Sequence, residues 1–136
     1  MKQEISYRLD IIPDTADIIK VYDDSGINRP TKDTDRIKKM YAHANLVVTA
    51  WDGTALVGIA RSLTDYCYCC YLSDLAVKKE YQKQGIGKKL IALTKEKIGE
   101  DVMLLLLSAA SAMDYYPKIG LETVKNGFII PRKPWK

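Results

Sequence analysis

The sequence predicts a mixed α/β domain whose sheet is mainly antiparallel and contains one β-α-β unit. An Asp-Gly pair between two β-rich runs predicts a hairpin, and apolar residues at helical spacing follow a long strand. An unbroken apolar run directly after that helix predicts a further, parallel strand. Since 136 residues suffice for one domain with its own core, we expect a single domain over residues 1–136. The predicted element order is β-α-α-β-β-β-α-β-α-β-β.

The first elements are a short strand and two helices. Residues 5–9 alternate between polar and apolar as a strand does, and Pro13 and Asp14 then begin a helix that ends before Gly26. A second helix is predicted over residues 33–42. Its basic polar face is more typical of a solvated surface than of a binding site.

Three strands follow these helices. Residues 46–51 and 55–60 form the predicted hairpin around Asp52-Gly53, because Gly readily adopts the positive φ that the turn requires. A third strand over residues 66–77 is expected to run antiparallel to the second.

The remaining elements include the β-α-β unit. Apolar residues at helical spacing from Ile86 to Ile98 predict a helix. The apolar run over residues 102–107 then predicts a strand that is buried on both faces and parallel to the strand before the helix. A short helix over residues 109–119 and a second hairpin at Asn126-Gly127, within residues 124–130, complete the predicted elements.

Composition excludes several classes of protein. With 47% hydrophobic and 28% charged residues, the chain is neither intrinsically disordered nor of a collagen-like or low-complexity type. The 21 basic and 17 acidic residues give a net charge of +4, which fits a phosphorylated ligand, a nucleic acid or neither. Without a signal-peptide core or an apolar run of membrane-spanning length, a soluble cytoplasmic protein is expected. The cysteines lack zinc-site spacing and are expected to be reduced thiols on a buried strand: Cys67, Cys69 and Cys70.

A glycine-rich turn at the start of the third helix predicts an anion site. Gly85 and Gly87 allow several backbone N–H groups to converge where the helix dipole is positive. A Walker loop would require Gly in place of Gln82 and Ser or Thr in place of Lys89, and the dinucleotide fingerprint would require Gly in place of Leu90. The turn is therefore neither, and a tight loop without a ligand is the alternative interpretation.

Two motifs resemble those of a known family. Residues 82–87, Gln-Lys-Gln-Gly-Ile-Gly, resemble the Q/R-x-x-G-x-G/A motif of the GCN5-related N-acetyltransferases, the GNAT superfamily. Residues 115–121, Tyr-Tyr-Pro-Lys-Ile-Gly-Leu, resemble the downstream signature of that superfamily. The resemblance implies a GNAT-like acyl-CoA N-acyltransferase fold, an α+β type in which helices flank a twisted sheet and two central parallel strands splay apart. Ala109, Leu121 and Lys79 depart from residues that are common in the family.

The resemblance also implies acetyl-CoA as the acetyl donor and no metal. The backbone amides of Gln84–Lys88 would hold the pyrophosphate, and lysines around the turn would receive the phosphates of coenzyme A. The strand edge at residues 75–77 would pair with the pantetheine arm. The implied cofactor-binding residues are Leu75, Ala76, Val77, Gln82, Lys83, Gln84, Gly85, Ile86, Gly87 and Lys88.

The implied reaction is acetyl transfer to a primary amine by direct attack within a ternary complex. An alkylammonium group with a pKa of ~10.4 must lose a proton before it attacks, and the leaving thiolate must gain one. By resemblance, Tyr116 is the acid that protonates the thiolate. Asp74 shares a strand face with Ala76. It either accepts the proton of the amine, directly or through water, or only orients substrate or bonds to neighbouring backbone. Glu80 is expected to be solvated, and His43 is expected to have a surface or packing role and not a catalytic one.

Two other functions stay open. A non-catalytic acyl-CoA-binding module, acting as a sensor or regulatory partner, would keep the glycine-rich turn and lack a working acid and base. A nucleic-acid-binding domain would fit the charge, but no recognised motif accompanies it. The expected acceptor is a small-molecule or peptide amine, without a nucleic-acid or membrane partner, and a homodimer is neither supported nor excluded. Tyrosines that could line an acceptor pocket are Tyr22, Tyr41, Tyr66, Tyr68 and Tyr71.

Overall fold

The structure is a computed structural model that describes residues 4–135, and the chain divides into two compact units. The first unit, Met1–Leu106, holds the sheet and the three longer helices. The second unit, Leu107–Lys136, holds a 3₁₀ turn and one short helix. The expectation of a single domain over residues 1–136 stays a prediction. Within the described part of the chain, every helix is too short or too polar to cross a bilayer.

The sheet has five strands in the spatial order β1-β2-β3-β4-β5. Every neighbouring pair is antiparallel except β4 and β5, which are parallel. This arrangement confirms the predicted mixed, mainly antiparallel sheet with one β-α-β unit. The strands are β1 (Ile5–Arg8), β2 (Leu46–Asp52), β3 (Ala55–Thr64), β4 (Cys69–Val77) and β5 (Met103–Leu105).

Local caps define the ends of the first two helices. At the end of the first helix Gly26 has a φ of 83°, and its N–H donates to the Tyr22 carbonyl. At the start of the second, the Asp33 carboxylate accepts the Arg36 N–H at 3.1 Å. The helices are α1 (Thr15–Ser25), α2 (Thr34–Ala42), α3 (Ile86–Ile98) and α4 (Tyr115–Lys118), with 3₁₀ turns at Lys79–Tyr81 and Ala110–Ala112.

Helices cover both faces of the sheet in the first unit. A Cβ built on Gly58 of β3 would lie 3.3 Å from the side chains of Ile86 and Leu90, so α3 packs against that face. The next residue, Ile59, belongs to the core cluster formed with α1 and α2. Because successive strand residues point to opposite faces, α3 lies on one side of the sheet and α1 with α2 on the other.

A β-bulge divides β4 into two halves. Asp74 pairs with Arg61 of β3, but the next pair joins Leu72 to Ser62, so that Ser73 is an extra residue. The bulge places Asp74 on the α1 side of the sheet and Leu72 on the α3 side, although both are buried. An uninterrupted strand would have pointed both side chains to the same face.

Strand β4 begins later than predicted because a turn occupies the first residues of the expected strand. Tyr66 has a φ of 59°, and the Asp65 carboxylate accepts the N–H groups of the three residues that precede Cys70. The expectation of buried cysteines is therefore wrong for Cys67 and Cys69, which are exposed, and correct for Cys70.

The prediction that residues 102–107 form a strand buried on both faces is wrong. Only Val102 is buried, and β5 is a three-residue edge strand in which Met103 is 55% exposed. The predicted helix over residues 109–119 is replaced by the second 3₁₀ turn and α4. Pro117 lies in the first turn of α4, where its missing N–H leaves no hydrogen bond unmade.

The predicted hairpin within residues 124–130 is also absent, since the structure has no strand there. Gly127 does not adopt a positive φ, so Asn126-Gly127 does not form the tight turn that joins hairpin strands. Residues 124–130 instead have an irregular backbone conformation.

Candidate active site

The loop before α3 presents a row of backbone donors. Lys83 and Gly85 both have left-handed φ values, 64° and 84°, which curl the chain into the helix. The first intrahelical bond runs from the Lys89 N–H to the Gly85 carbonyl at 3.0 Å, and no side chain caps the helix. Within residues 4–135, no hydrogen bond engages the N–H groups of residues 84–88. These free amides form a donor site at a helix N-terminus, which suits an anion.

Side chains from three elements hold this loop in place. The Gln82 amide donates to the Val77 carbonyl at 2.8 Å, tying the loop to the end of β4. The Lys79 N–H donates to the Asp24 carboxylate at 2.7 Å. The Tyr81 hydroxyl donates to Asp52 at 2.5 Å, and this hydrogen bond raises the pKa of Tyr81 to about 12. The donor site is thus preorganised by its neighbours.

Positive charge surrounds the free amides. Lys83, Lys88 and Lys89 are exposed and lie in or next to the loop. Their ammonium groups add to the partial positive charge of the α3 N-terminus, and both attract phosphate. Among the described residues, no group of His, Cys, Asp and Glu is arranged to hold a metal ion.

Strand β4 has an open edge beside this loop. Its pairing with β5 ends where Tyr71 meets Leu105, while β4 itself continues to Val77. The Lys78 N–H donates to β3 at the Val57 carbonyl, so by alternation the polar backbone groups of Leu75 and Val77 point away from β3. The Val77 carbonyl already accepts a hydrogen bond from the Gln82 side chain. The groups that remain available along the open edge are the N–H and carbonyl of Leu75 and the N–H of Val77.

Asp74 lies at the centre of a buried ionic cluster on the α1 side of the sheet. Its side chain is fully buried, and both carboxylate oxygens are engaged. The guanidinium groups of Arg29 and Arg61 each donate to one oxygen at 2.6 Å. The Tyr22 hydroxyl donates at 2.7 Å and the Ser73 hydroxyl at 3.2 Å. The cluster therefore links the strands to α1 and to the loop that follows α1.

The cluster sets the protonation of its members. Burial alone would raise the pKa of Asp74, but the hydrogen bond and charge of Arg61 and the charge of Arg29 outweigh it and hold the pKa below its usual value. Burial raises the pKa values of Tyr22 and Tyr41, whose hydroxyls bond to each other. A carboxylate held by two cations is a weak proton acceptor, which favours the orienting role over the general-base role that the sequence left open.

Sequence reasoning missed the partners of Asp74. Arg29 is separated from it by 45 positions and stands in a loop, with no local signal to join the two. Arg61 gave a usable signal, because a charged residue inside the apolar strand β3 requires a buried counter-charge. Of the tyrosines proposed to line a pocket, Tyr22 and Tyr41 are core residues and Tyr66 and Tyr68 are exposed.

The second unit carries Tyr116. It lies in α4, is half-buried, and meets the neighbouring Tyr115 ring edge-on at 5.2 Å between centroids. Burial first, and then Tyr115, raise the pKa of Tyr116, so the phenol keeps its proton at neutral pH. The Tyr116 carbonyl accepts the N–H groups of Ile119 and Leu121, which closes the turn before Gly120 folds the chain back at a φ of 102°. His43 and Glu80 are exposed, as expected from the sequence.

Comparison with protein families identifies the fold. A family model described as an acetyltransferase (GNAT) domain matches residues 18–129, which spans both units. The chain belongs to the GNAT family. The resemblance of residues 82–87 and 115–121 is thereby confirmed at the level of the family.

Curated GNAT relatives are longer than this chain. GCN5-related N-acetyltransferase 2, chloroplastic, from Arabidopsis thaliana is 32% identical over 77 residues, covering 53% of this chain and 29% of the relative. An uncharacterized N-acetyltransferase, ycf52, from Gracilaria tenuistipitata var. liui is 28% identical over 115 residues, covering 82% of this chain and 63% of the relative. The chain spans less than two thirds of either relative.

A solved structure shares the GNAT fold. A probable acetyltransferase of unknown function from meticillin-resistant Staphylococcus aureus superposes with a TM-score of 0.80, covering 95% of this chain and 100% of that chain. Their sequences are 24% identical, so this likeness establishes the arrangement of elements and not the substrate.

The cluster around Asp74 generates a prediction about stability. Asp74→Asn leaves the buried guanidinium group of Arg61 and the partly buried one of Arg29 without their carboxylate, and we expect the free energy of unfolding to fall by about 3–5 kcal/mol. Because the folded pKa of Asp74 is lowered, its contribution is complete above the unfolded value of ~3.9 and is lost as pH falls through the folded pKa. Urea unfolding between pH 7 and pH 2 should therefore show a steeper loss of stability at the acid end for the wild type than for the variant.

Asp10→Asn is the matched control, because Asp10 pairs with Arg8 in an exposed ion pair. Removal of an exposed pair changes stability little. Equal losses in the two variants would contradict a buried ionic role for Asp74.

Proposed function

We propose that this GNAT protein transfers an acetyl group from acetyl-CoA to a primary amine by direct attack in a ternary complex. The observation that carries the proposal is the row of free amides at residues 84–88 beside the open edge of β4. The proposed acceptor is a small-molecule or peptide amine in the cytoplasm. Acetyl-CoA supplies an activated thioester and needs two kinds of partner from the protein, an anion site and a strand-like edge.

The α3 N-terminus fits the pyrophosphate. Five consecutive amides, from Gln84 to Lys88, lack partners within residues 4–135 and can each donate to a phosphate oxygen. Lys83 and Lys88 supply countercharge at the rim. Gln82 serves the site indirectly, since its side chain holds the loop against the end of β4.

The open edge of β4 fits the pantetheine arm. The arm carries amide groups, and the N–H and carbonyl of Leu75 with the N–H of Val77 offer the complementary pattern of an added strand. From the pyrophosphate, an arm that follows this edge runs toward the point where Tyr71 pairs with Leu105. At ~3.3 Å per strand residue, the edge over residues 72–77 is about 20 Å long. The thioester would then lie near the bulge at Ser73.

The transfer step requires one proton to leave the amine and one to reach sulfur. The neutral amine nitrogen bonds to the carbonyl carbon, the carbon–sulfur bond breaks, and the proton of the amine passes to water. We assign Tyr116 the role of the acid that the family resemblance implies, since its phenol is protonated at neutral pH and can donate to the thiolate. The resulting phenolate then regains from water the proton that the amine released. Asp74 orients the α1 side of the site through Arg29 and Tyr22.

A second candidate function is an acyl-CoA-binding module that does not catalyse transfer. The specific observation in its favour is the Asp74 carboxylate, which two guanidinium groups occupy and which is therefore poorly suited to deprotonate an amine. Such a module would use the same amides and the same strand edge. The two candidates differ only in turnover.

An assay of thiol release separates the two candidates. The full chain is incubated with acetyl-CoA and a panel of polyamines, amino acids, aminoglycosides, peptide N-termini and lysine peptides. Release of free thiol that depends on an added amine supports the transferase. Calorimetric binding of acetyl-CoA without turnover on any amine of the panel supports the module.

Tyr116 can be tested by removal of its hydroxyl. For Tyr116→Phe we expect kcat to fall by about 100-fold or more, because the thiolate loses its proton donor, while the Kd for acetyl-CoA stays nearly constant. Tyr115→Phe is the matched control, since the adjacent ring contacts Tyr116 and should keep turnover. Turnover that survives in Tyr116→Phe removes the acid assignment.

The amide site can be tested by filling it. Gly87→Trp places a large side chain in the first turn of α3, and we expect the Kd for acetyl-CoA to rise by about tenfold or more, as for the loss of one charge-assisted hydrogen bond. Ala92→Trp, at an exposed position farther along α3, is the control. Isothermal calorimetry on both variants gives the comparison. Equal affinities in the two would show that phosphate does not bind at this helix end.

A further inference from the structure

Two exposed cysteines, one in the turn before β4 and one at its first residue, stand in a C-x-C arrangement. Cys67 and Cys69 are exposed free thiols, and the next residue, Cys70, is buried. All three belong to the first unit and lie far along β4 from the end at Val77, where the pyrophosphate loop begins. The proposed acetyl transfer uses none of these thiols, so the exposed pair is available for chemistry of its own.

The Asp65 carboxylate curls the chain between the two thiols. One oxygen of Asp65 accepts three consecutive backbone N–H groups, those of residues 67–69, at 2.8, 2.7 and 3.1 Å. Because a single atom receives both ends of this row, the amide nitrogens of Cys67 and Cys69 are closer together than the ~6.7 Å that separates residues two apart in an extended strand. Disulfides join Cα atoms roughly 4.4–6.8 Å apart, so a turn of this kind suits one.

The same carboxylate distinguishes the two thiols. The Cys69 thiol donates to the second Asp65 oxygen at 3.8 Å, whereas the Cys67 thiol has no hydrogen-bond partner within residues 4–135. Hydrogen bonds from the three N–H groups lower the pKa of Asp65 to about 2, so this acceptor is charged at neutral pH. A thiolate, and not a thiol, attacks a disulfide. Cys67 is therefore better placed to attack first, because the carboxylate retains the proton of Cys69.

The position of Cys70 in β4 excludes it as a partner. Successive strand residues point to opposite faces, so the buried Cys70 side chain lies on the face away from the exposed Cys69. Burial also raises the pKa of the Cys70 thiol, which keeps it protonated at neutral pH. Its backbone is committed to the ladder with β3, where it pairs with Thr64. The reactive pair is therefore Cys67 with Cys69.

We propose that Cys67 and Cys69, held close by the Asp65 turn, are a site of reversible oxidative modification at which a small-molecule disulfide converts the pair into an intramolecular disulfide. The Cys67 thiolate attacks one sulfur of the small disulfide, forms a mixed disulfide with it and releases one small thiolate. The Cys69 thiolate then attacks the Cys67 sulfur and releases the second small thiolate. The two cysteine protons pass through water to the released thiolates. The chain loses two electrons, and the small disulfide gains them.

A bond at this place suits a reversible modification. A disulfide between cysteines two residues apart closes a small ring, and strained or exposed disulfides are the ones that small thiols readily reduce. Both sulfurs are exposed, so a small disulfide and a small reducing thiol can each reach them. The proposed cytoplasmic location points the same way, since disulfides there are usually transient and serve catalysis or redox sensing.

Oxidation of the full chain by glutathione disulfide tests this proposal. The wild type is expected to lose two thiols and the mass of two hydrogen atoms, with no glutathione attached when the reaction is complete. After denaturation and alkylation, mass-spectrometric fragmentation of the tryptic peptide over residues 62–78 should place the single alkylated cysteine at Cys70. Dithiothreitol should then restore all three thiols.

Single substitutions distinguish this pair from any other. Cys67→Ser and Cys69→Ser each keep one exposed thiol, so each should end with one glutathione attached and no internal disulfide. Cys70→Ala is the matched control and should oxidise as the wild type does, with circular dichroism to show that it is folded. A wild type that keeps its thiols or stops at the mixed disulfide, an internal disulfide in either serine variant, or its loss in folded Cys70→Ala would each overturn the proposal.

Two uncharged variants of Asp65 test the role of the turn. Asp65→Asn keeps a side-chain oxygen that can accept the three N–H groups, whereas Asp65→Ala removes it. We expect the mixed disulfide to close about tenfold more slowly in Asp65→Ala than in Asp65→Asn, as for the loss of at least one hydrogen bond that holds the turn. Timed acid quenching followed by intact-mass measurement gives both rates. Equal rates in the two variants would overturn the assignment of the turn to Asp65.

Discussion

The carboxylate of Asp74 is the contact on which the α1 side of the sheet depends. It is buried and charged, and it joins α1 through Tyr22, the following loop through Arg29 and strand β3 through Arg61. A buried carboxylate is tolerated only when cations and hydrogen-bond donors surround it. The position of α1 and its loop over the sheet is therefore set by the requirement to neutralise one strand residue.

The opposite side of the site depends on how closely α3 approaches the sheet. Because Gly58 has no side chain, Ile86 and Leu90 pack directly against the backbone of β3. The first turn of α3 therefore lies on that strand. The free amides that precede and begin the helix are consequently held beside the end of β4. A larger residue at position 58 would push back the same helix turn that presents those donors.

Local patterns in the sequence predicted the elements that local chemistry decides. The hairpin between residues 46–51 and 55–60, the helix over residues 86–98 and the glycine-rich turn at Gly85 were all predictable, because turn geometry and helical spacing depend on neighbouring residues. The loop of the hairpin is Gly53-Thr54, one position later than the predicted Asp52-Gly53. The exposure of Met103 was not, since an apolar run has the same composition in the middle of a sheet and at its edge. The partners of Asp74 were not predictable either, because the contacts with Arg29 and Tyr22 cross 45 and 52 positions.

The single extra residue at Ser73 gives β4 two different facings, with Leu72 toward α3 and Asp74 toward α1. The directions of these two side chains depend on the number of residues in β4 more than on the identity of residue 73. Another small side chain at position 73 would keep both facings, whereas a deletion of one residue would turn the acid toward α3 and away from its two guanidinium partners. In the evolution of this chain, the middle of β4 should therefore accept substitutions more readily than insertions or deletions.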